Sequence, residues 1–355
     1  MIDKVSKTKV RKAGDIYRSF RVDSSISTEQ YNQALDVISK FRAEHNSSLD
    51  SVIKEIDLIL KRLKIDNAII AKRLKRSISI EKKLKRFPKM SLDRMQDIAG
   101  CRVILQNQKE LRRVQKLFKD KFNLRHNYIK HPKDDGYRSI HYTIKQDGYF
   151  VEIQLRTKIQ HAWATALEIV DIFEKKSLKT KEDVEDKSSQ EWAEFFKICS
   201  NVFAKLEFKN QIDYNELKSL FNYYNKLKIE KKFSAYFKFP ALRSDVNEGY
   251  YLLHIDLERR EATPMLFNKD DFSKAIEQYK YYENKSAINS NYVVALVSTE
   301  DLKNIKKAYP NFFSHSQEFL DLIKELETIY IIEKDSRSIV NNIIDFILNI
   351  TGKKV

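Results

Sequence analysis

The segment 139–156 constrains this chain most. It reads SIHYTIK, then Gln146-Asp147-Gly148, then YFVEIQLR. Two alternating runs around Asp-Gly predict an antiparallel hairpin. On its second strand Val151, Ile153 and Leu155 share one face, and Glu152, Gln154 and Arg156 share the other. A carboxylate, an amide and a guanidinium in one row are costly on a buried face unless something binds there. The neighbouring stretches agree with a mixed sheet. AGCRVIL (99–105) reads as a strand, and 108–122 as a helix with Leu111, Val114, Phe118 and Phe122 inward. A further helix begins near Thr157. Residues 90–175 thus alternate strand and helix, an α/β pattern.

Upstream, Tyr31, Ala34, Leu35, Ile38 and Phe41, then Leu49, Val52, Ile53, Ile56, Leu60 and Leu63, mark two amphipathic helices. The stretch 68–88 reads as helical or partly looped and ends at Pro88. Downstream, 175–190 is a charged loop or connector, followed by aromatic-rich helices to about Lys232. From 249 come a strand pair (YYLLHIDLE, EATPMLF), a helix (DFSKAIEQYKYYENK), a strand (NYVVALVS) and helices at about 316–328 and 336–350. The boundary is expected near 230–245, giving domains 1–235 and 236–355. The expected class is α/β (α+β): a mixed sheet flanked by helices, with a smaller C-terminal α+β domain.

Composition narrows the function. With 355 residues and 42% apolar side chains the chain builds a core, and 6 Gly and 5 Pro argue against a turn-rich all-β fold. No stretch approaches ~18 consecutive apolar residues, so no membrane span is expected. Two cysteines and no leader-like apolar core point to a reducing cytosol. Residues 216–355 hold 21 Lys+Arg against 20 Asp+Glu, so nearly all of the net +16 lies in the first 215 residues. Residues 61–90 alone hold 12 basic and 2 acidic side chains. Such a field captures polyanions.

Asp97, just before the 99–105 strand, and Glu152 supply two carboxylates at neighbouring strand ends. That is the oxygen set Mg²⁺ takes together with substrate phosphates. The basic run 72–86 provides counter-charge for a triphosphate, and KDDGYRSIHY offers a Gly136 turn and the Tyr137 ring for base stacking. Taken singly, each has an ordinary structural reading; His161, on one helical face with Thr165 and Glu168, reads as a structural histidine. No GxxxxGK[ST] loop is present, which excludes a P-loop ATPase.

In order, RLKRSISIEKK (73–83), RMQDIAGCRVIL (94–105), HPKDDGYRSIHY (131–142) and VEIQLRTKIQHAWATALE (151–168) resemble the RelA/SpoT-type synthetase domain. AGDIYR, ALDVISKFRAEH and ALVSTEDLKNIKKAYPNFF resemble the narrower CapRel-type fused toxin–antitoxins. The resemblance implies transfer of the β,γ-pyrophosphate of ATP to a ribose hydroxyl. Asp97 and Glu152 would be the Mg²⁺ carboxylates. Arg73, Lys75, Ser79, Lys82 and Arg102 would bind ATP. Tyr137 would stack the acceptor base, with Lys133, His141, Gln154, Arg156 and His161 around acceptor and phosphates. No dedicated base stands out; Glu152 is the candidate.

Two departures bear on the acceptor. His126-Asn127 stands where the family has a basic and an acidic residue, and Asp134-Asp135 where it has Asn before Gly. Both thin the positive charge expected for a guanosine diphosphate, which favours the 3′ end of tRNA over GDP or GTP. In the fused subgroup the C-terminal part resembles a zinc finger without its ligands, and here no cysteine follows Cys199, so no zinc is expected. Tyr309, Pro310, Phe312 and Phe313 would plug the ATP pocket until a phage protein released them. A catalytically dead RNA-binding module is the alternative from another class.

Overall fold

Val151, Ile153 and Leu155 turn inward as the alternation predicts, on strand β5 (Tyr149–Thr157). Its hairpin partner is β4 (Ile140–Gln146), joined through Asp147 and Gly148, both at positive φ as a tight hairpin requires. On its other side β5 runs parallel to β2 (Ala99–Leu105). Beyond β2 lies an antiparallel β1 (Ile69–Leu74), and beyond β4 an antiparallel β3 (Asn123–Asn127). Three more strands, β6 (Gly249–Asp256), β7 (Glu261–Asn268) and β8 (Tyr292–Thr299), extend the sheet on the β1 side. The order is β3-β4-β5-β2-β1-β8-β6-β7. The class is α+β with a mixed sheet, as the alternating pattern implied.

The computed structural model describes residues 4–20, 22–75, 77–173, 187–230, 233, 249–256, 259, 261–288, 292–299 and 317–351. The chain divides into two compact units, each built from segments that alternate along the sequence. One comprises Met1–His131, Arg138–Lys158 and Phe239–Ser314; the other comprises Pro132–Tyr137, Ile159–Lys238 and His315–Val355. The boundary expected at 235/236 lies outside the described residues.

In the first unit, helices α3 (Asn46–Arg62) and α5 (Gln108–Phe118) cover one face of the sheet. Leu49, Val52, Ile56, Val114 and Phe118 bury against Cys101, Val103, Tyr142, Ile153 and Leu155. A second cluster joins α1 (Lys7–Ser19) and α2 (Thr28–Glu44) to α4 (Ser77–Arg86) through Tyr17, Ile38, Ile80, Leu84 and Ile98. Helix α2 opens on a capping box between Ser27 and Gln30. In the second unit, α6 (Lys158–Phe173), α7 (Lys187–Phe208), α8 (Tyr214–Lys226) and α10 (Gln317–Thr351) enclose Trp192, Phe195, Phe196, Leu220 and Phe319.

Two expectations are corrected. The start of the 68–88 stretch is not helical or looped but strand β1, because Ile69, Ala71 and Leu74 bury while the backbone pairs with both β2 and β8. Pairing on both edges overrides the helix propensity of its Lys and Arg. The two helices expected after 316 are one 35-residue helix, α10. The strand pair, helix α9 (Phe272–Ile288) and strand predicted from 249 onward are all present. Among the described residues no helix is long and apolar enough to cross a membrane.

Candidate active site

The face of the sheet opposite α3 and α5 carries the chemistry. Two cross-strand rows lie there. Gly100 of β2, Glu152 of β5 and Thr143 of β4 are in register, and so are Arg102, Gln154 and His141. Residues in register share a face. A side-chain relay runs along it. His141 Nδ1 lies 3.0 Å from Glu152 Oε1, the Gln154 amide donates to Glu152 Oε2 at 2.9 Å, and Arg156 donates to Gln154 Oε1 at 2.8 Å. Gly100 is required here: a Cβ would lie 2.8 Å from the main-chain oxygen of Glu152. Arg102 and Arg156 are buried.

Asp97 lies at the lower end of the same strand pair. The Lys75 amide bonds to the Ile98 carbonyl at 2.7 Å, one step beyond the β1–β2 ladder, which sets Lys75 beside Asp97. The Lys75 ammonium then meets Asp97 Oδ2 at 3.0 Å, and Lys83 of α4 meets the same oxygen at 2.8 Å. Asp97 Oδ1 is buried and accepts no hydrogen bond among the described residues. Burial pushes the Asp97 carboxyl up, but Lys75 and Lys83 outweigh it and hold it below the usual range, against the nearby charge of Glu152. Burial acts likewise on Glu152, and there His141, Gln154 and Lys75 win, so its carboxyl is also held low. Each carboxylate feels Lys75, and Asp97 feels Glu152.

The loop Pro132–Tyr137 belongs to the second unit. Gly136 adopts φ +92°, where a Cβ would lie 2.8 Å from Ser200 Cβ. The Ser200 hydroxyl donates to the Gly136 carbonyl. Asp135 Oδ1 accepts from the Tyr137 amide at 2.9 Å, so this acidic residue shapes the turn. The Tyr137 ring is half-buried with the Lys133 ammonium 4.8 Å from its centroid. His161, on α6, is buried.

The first unit therefore brings Glu152, Arg102, His141, Gln154 and Arg156 onto one sheet face, with Asp97 and Lys75 paired at the end of the β1–β2 ladder. Lys133, Tyr137 and His161 belong to the second unit. Ser79 is half-buried on α4, whereas Lys82 is exposed and Lys83 takes the position on Asp97. Lys83 was missed because the strand-to-helix break at 75–77 was not seen; with α4 in place, Ser79 and Lys83 fall four apart on one face. The Arg73 side chain and residues 309–313 lie outside the described residues. Glu152 is a poor base, since a carboxyl held this low is a weak proton acceptor at neutral pH. Cys101 and Cys199 are buried and their thiols are pushed up by burial, so neither serves as a nucleophile.

Residues 72–172 match a family model described as the region found in RelA / SpoT proteins. Two curated relatives, each a probable GTP diphosphokinase RSH3, chloroplastic, of Arabidopsis thaliana, are 37% identical over 81 residues. That match covers 21% of this chain and 11% of each relative, so the chain spans about a tenth of the length of the curated relatives it matches. Solved structures similar in part include small alarmone synthetase 1 from Bacillus subtilis bound to its product pppGpp (TM-score 0.38, 23% identity, 46% of this chain, 90% of that one). Another is a GTP pyrophosphokinase family protein from Streptococcus pneumoniae (TM-score 0.37, 24% identity, 52% and 92%). The matched span 72–172 holds both carboxylates and the relay around them.

Proposed function

We propose that the chain is a pyrophosphokinase that transfers the β,γ-pyrophosphate of ATP to a ribose hydroxyl. The observation that carries this is the pair Asp97 and Glu152. Both are held ionised, share the field of Lys75, and lie within the span that matches the RelA/SpoT region. Magnesium fits this donor set. The described residues contain no cluster of three ligating side chains, yet Asp97 Oδ1 is buried without a hydrogen-bond partner among them, as suits an oxygen kept for an ion that also takes phosphate oxygens and water. Asp97 and Glu152 would hold it, and it would offset phosphate charge.

The remaining residues position and neutralise. Lys75 and Lys83 stand beside Asp97 as point charges for a polyphosphate, and Arg102 lies in register with Gln154 and His141. The acceptor oxygen bonds to the β-phosphorus, and the bond to the α–β bridging oxygen breaks with its electron pair on AMP. The hydroxyl proton leaves to a base. His141, oriented through Nδ1 by Glu152, could take that proton at Nε2 in its neutral form. Positioning and charge do most of the catalysis in such a transfer. Lys133, Tyr137 and His161 keep, as proposals, the acceptor-side roles the resemblance gives them.

For the acceptor we favour the tRNA 3′ end. The basic excess of the first 215 residues suits an RNA backbone, and Asp134 and Asp135 add negative charge beside Tyr137. Pyrophosphate on that end would block aminoacylation and hence translation, the action of a toxin. Restraint by Tyr309, Pro310, Phe312 and Phe313, and its release by a phage protein, complete this reading. GDP or GTP is the second reading, favoured by the curated relatives' name. Incubation with γ-labelled ATP and either bulk tRNA or GDP and GTP separates them. Label on tRNA is expected; label on guanosine nucleotides alone selects the second reading. Absence of label from every acceptor, in the native chain and in a Tyr309→Ala/Phe312→Ala/Phe313→Ala variant, overturns both.

A further inference from the structure

Helix α4 carries Lys83 to Asp97, yet its first turn is capped from far along the chain. Ser77 opens α4, and its main-chain N–H donates to the phenol oxygen of Tyr279, 202 residues away, at 3.3 Å. The Tyr279 hydroxyl donates in turn to Glu283 Oε1 at 2.6 Å. Arg42 of α2 completes the group. It donates to the Ser77 hydroxyl at 3.1 Å, approaches Glu283 at 4.0 Å and lies 4.7 Å from the Tyr279 ring centroid. All four residues are buried.

The free N–H groups of a helix's first turn need acceptors, and a neighbouring N-cap side chain usually supplies them. Here Tyr279 and Glu283 of α9 contribute to that end. The strand after α9, β8, pairs with β1 at Lys72↔Ser298 and Arg73↔Val297. The corner between β1 and α4, which presents Lys75 and Lys83 to Asp97, is thus held on its strand side by β8 and on its helix side by α9. A buried Arg–Glu group rarely adds stability over apolar packing. In this one Arg42 Nε is buried and has no partner among the described residues, so stability alone is a poor account of it.

We propose that Tyr279 and Glu283 are positioning residues for the nucleotide-side cations: they cap α4 and thereby hold Lys83 against Asp97. The kinetic consequence rests on the ATP reading above; the cap itself does not. Both are tested on the full chain with Tyr279→Phe, which keeps the ring and removes the oxygen, and with Glu283→Gln, which keeps an acceptor for the phenol. In hydrogen exchange read by mass spectrometry, Tyr279→Phe is expected to speed exchange at the start of α4 about fivefold or more while α5 stays unchanged. Glu283→Gln should fall between it and the native chain. In pyrophosphate transfer, Tyr279→Phe should raise KM for ATP about fivefold with kcat within about twofold. A merely structural loss would lower the active fraction and leave KM alone. Unchanged exchange in α4, or equal acceleration in α4 and α5, overturns the cap. If the native chain transfers nothing to any acceptor while α4 exchange responds selectively, the cap stands and the enzymatic reading fails.

Discussion

Glu152 shows how one strand residue becomes a chemical group. Its neighbours on β5 bury, so it must face the other side, and there His141 and Gln154 meet both of its oxygens. Glu152→Gln preserves shape and removes charge. Transfer from ATP should fall at least ~10²-fold with the circular dichroism spectrum unchanged, and a variant with native rates would remove Glu152 from the site. His45 makes the opposite case, a buried histidine with no chemical part to play. Burial pushes it down to about 4; its Nδ1–H donates to the Phe41 carbonyl at 2.7 Å, which opposes that shift, and Arg42 adds to it. The unfolded chain takes a proton on this ring from about pH 6.5 downward, while the native chain does not until about pH 4. Its stabilising share is therefore complete above pH 6.5 and is lost as pH falls through that window, about 3 kcal/mol in all. Urea midpoints of the native chain and His45→Gln should converge by that order between pH 7 and pH 4. A gap that stays constant with pH would show the ring charged or exposed. Glu152 was legible in the sequence because alternation gives a strand residue its face, and Asp97 because it stands two residues ahead of the strand β2. Lys83 was not, since a helix residue's direction depends on where the helix begins, and that start is set by Tyr279, far beyond any local signal.

At the scale of elements, strands flanked by turns were readable and strands framed by charge were not. Asp147-Gly148 announced β4 and β5, and the unbroken AGCRVIL announced β2, whose bounds match the expectation. Strand β1 hid behind Lys72 and Arg73, and β3 behind an exposed polar run in which only Asn127 is half-buried. Gly100 tests the β2–β5 pairing directly. These strands run parallel, and their close approach at Gly100 and Glu152 leaves no room for a methyl group. Gly100→Ala should cost about 1–3 kcal/mol by urea unfolding. It should also lower transfer by more than the loss of folded protein explains, because the strain falls on the main chain that carries Glu152. A variant as stable and active as the native chain would mean that the strands separate there freely.

At the scale of the molecule, the sequence suggested a detachable C-terminal part, since charge and texture both change near 230–249. Charge reports on the surface, however, and the partnership of these residues lies in the sheet and the core. Strands β6 to β8 continue the sheet that bears Asp97 and Glu152, and Tyr279 reaches the start of α4 within the same unit. In the other unit Phe319 of α10 is fully buried, with its ring 5.5 Å from Phe233 and 5.7 Å from Phe203. Removing residues 245–355 would expose the β1 edge in one unit and open the aromatic core in the other. An uncovered edge strand and an emptied core both favour aggregation. The truncated chain is therefore expected to be poorly soluble, without the cooperative thermal transition of the full chain, whatever restraint residues 309–313 impose. Phe319→Ala should go part of the way, at about 3–5 kcal/mol by urea unfolding. A truncated chain that stays soluble, melts cooperatively and transfers pyrophosphate faster than the full chain would show that the C-terminal residues act as a removable brake and not as part of the catalytic fold.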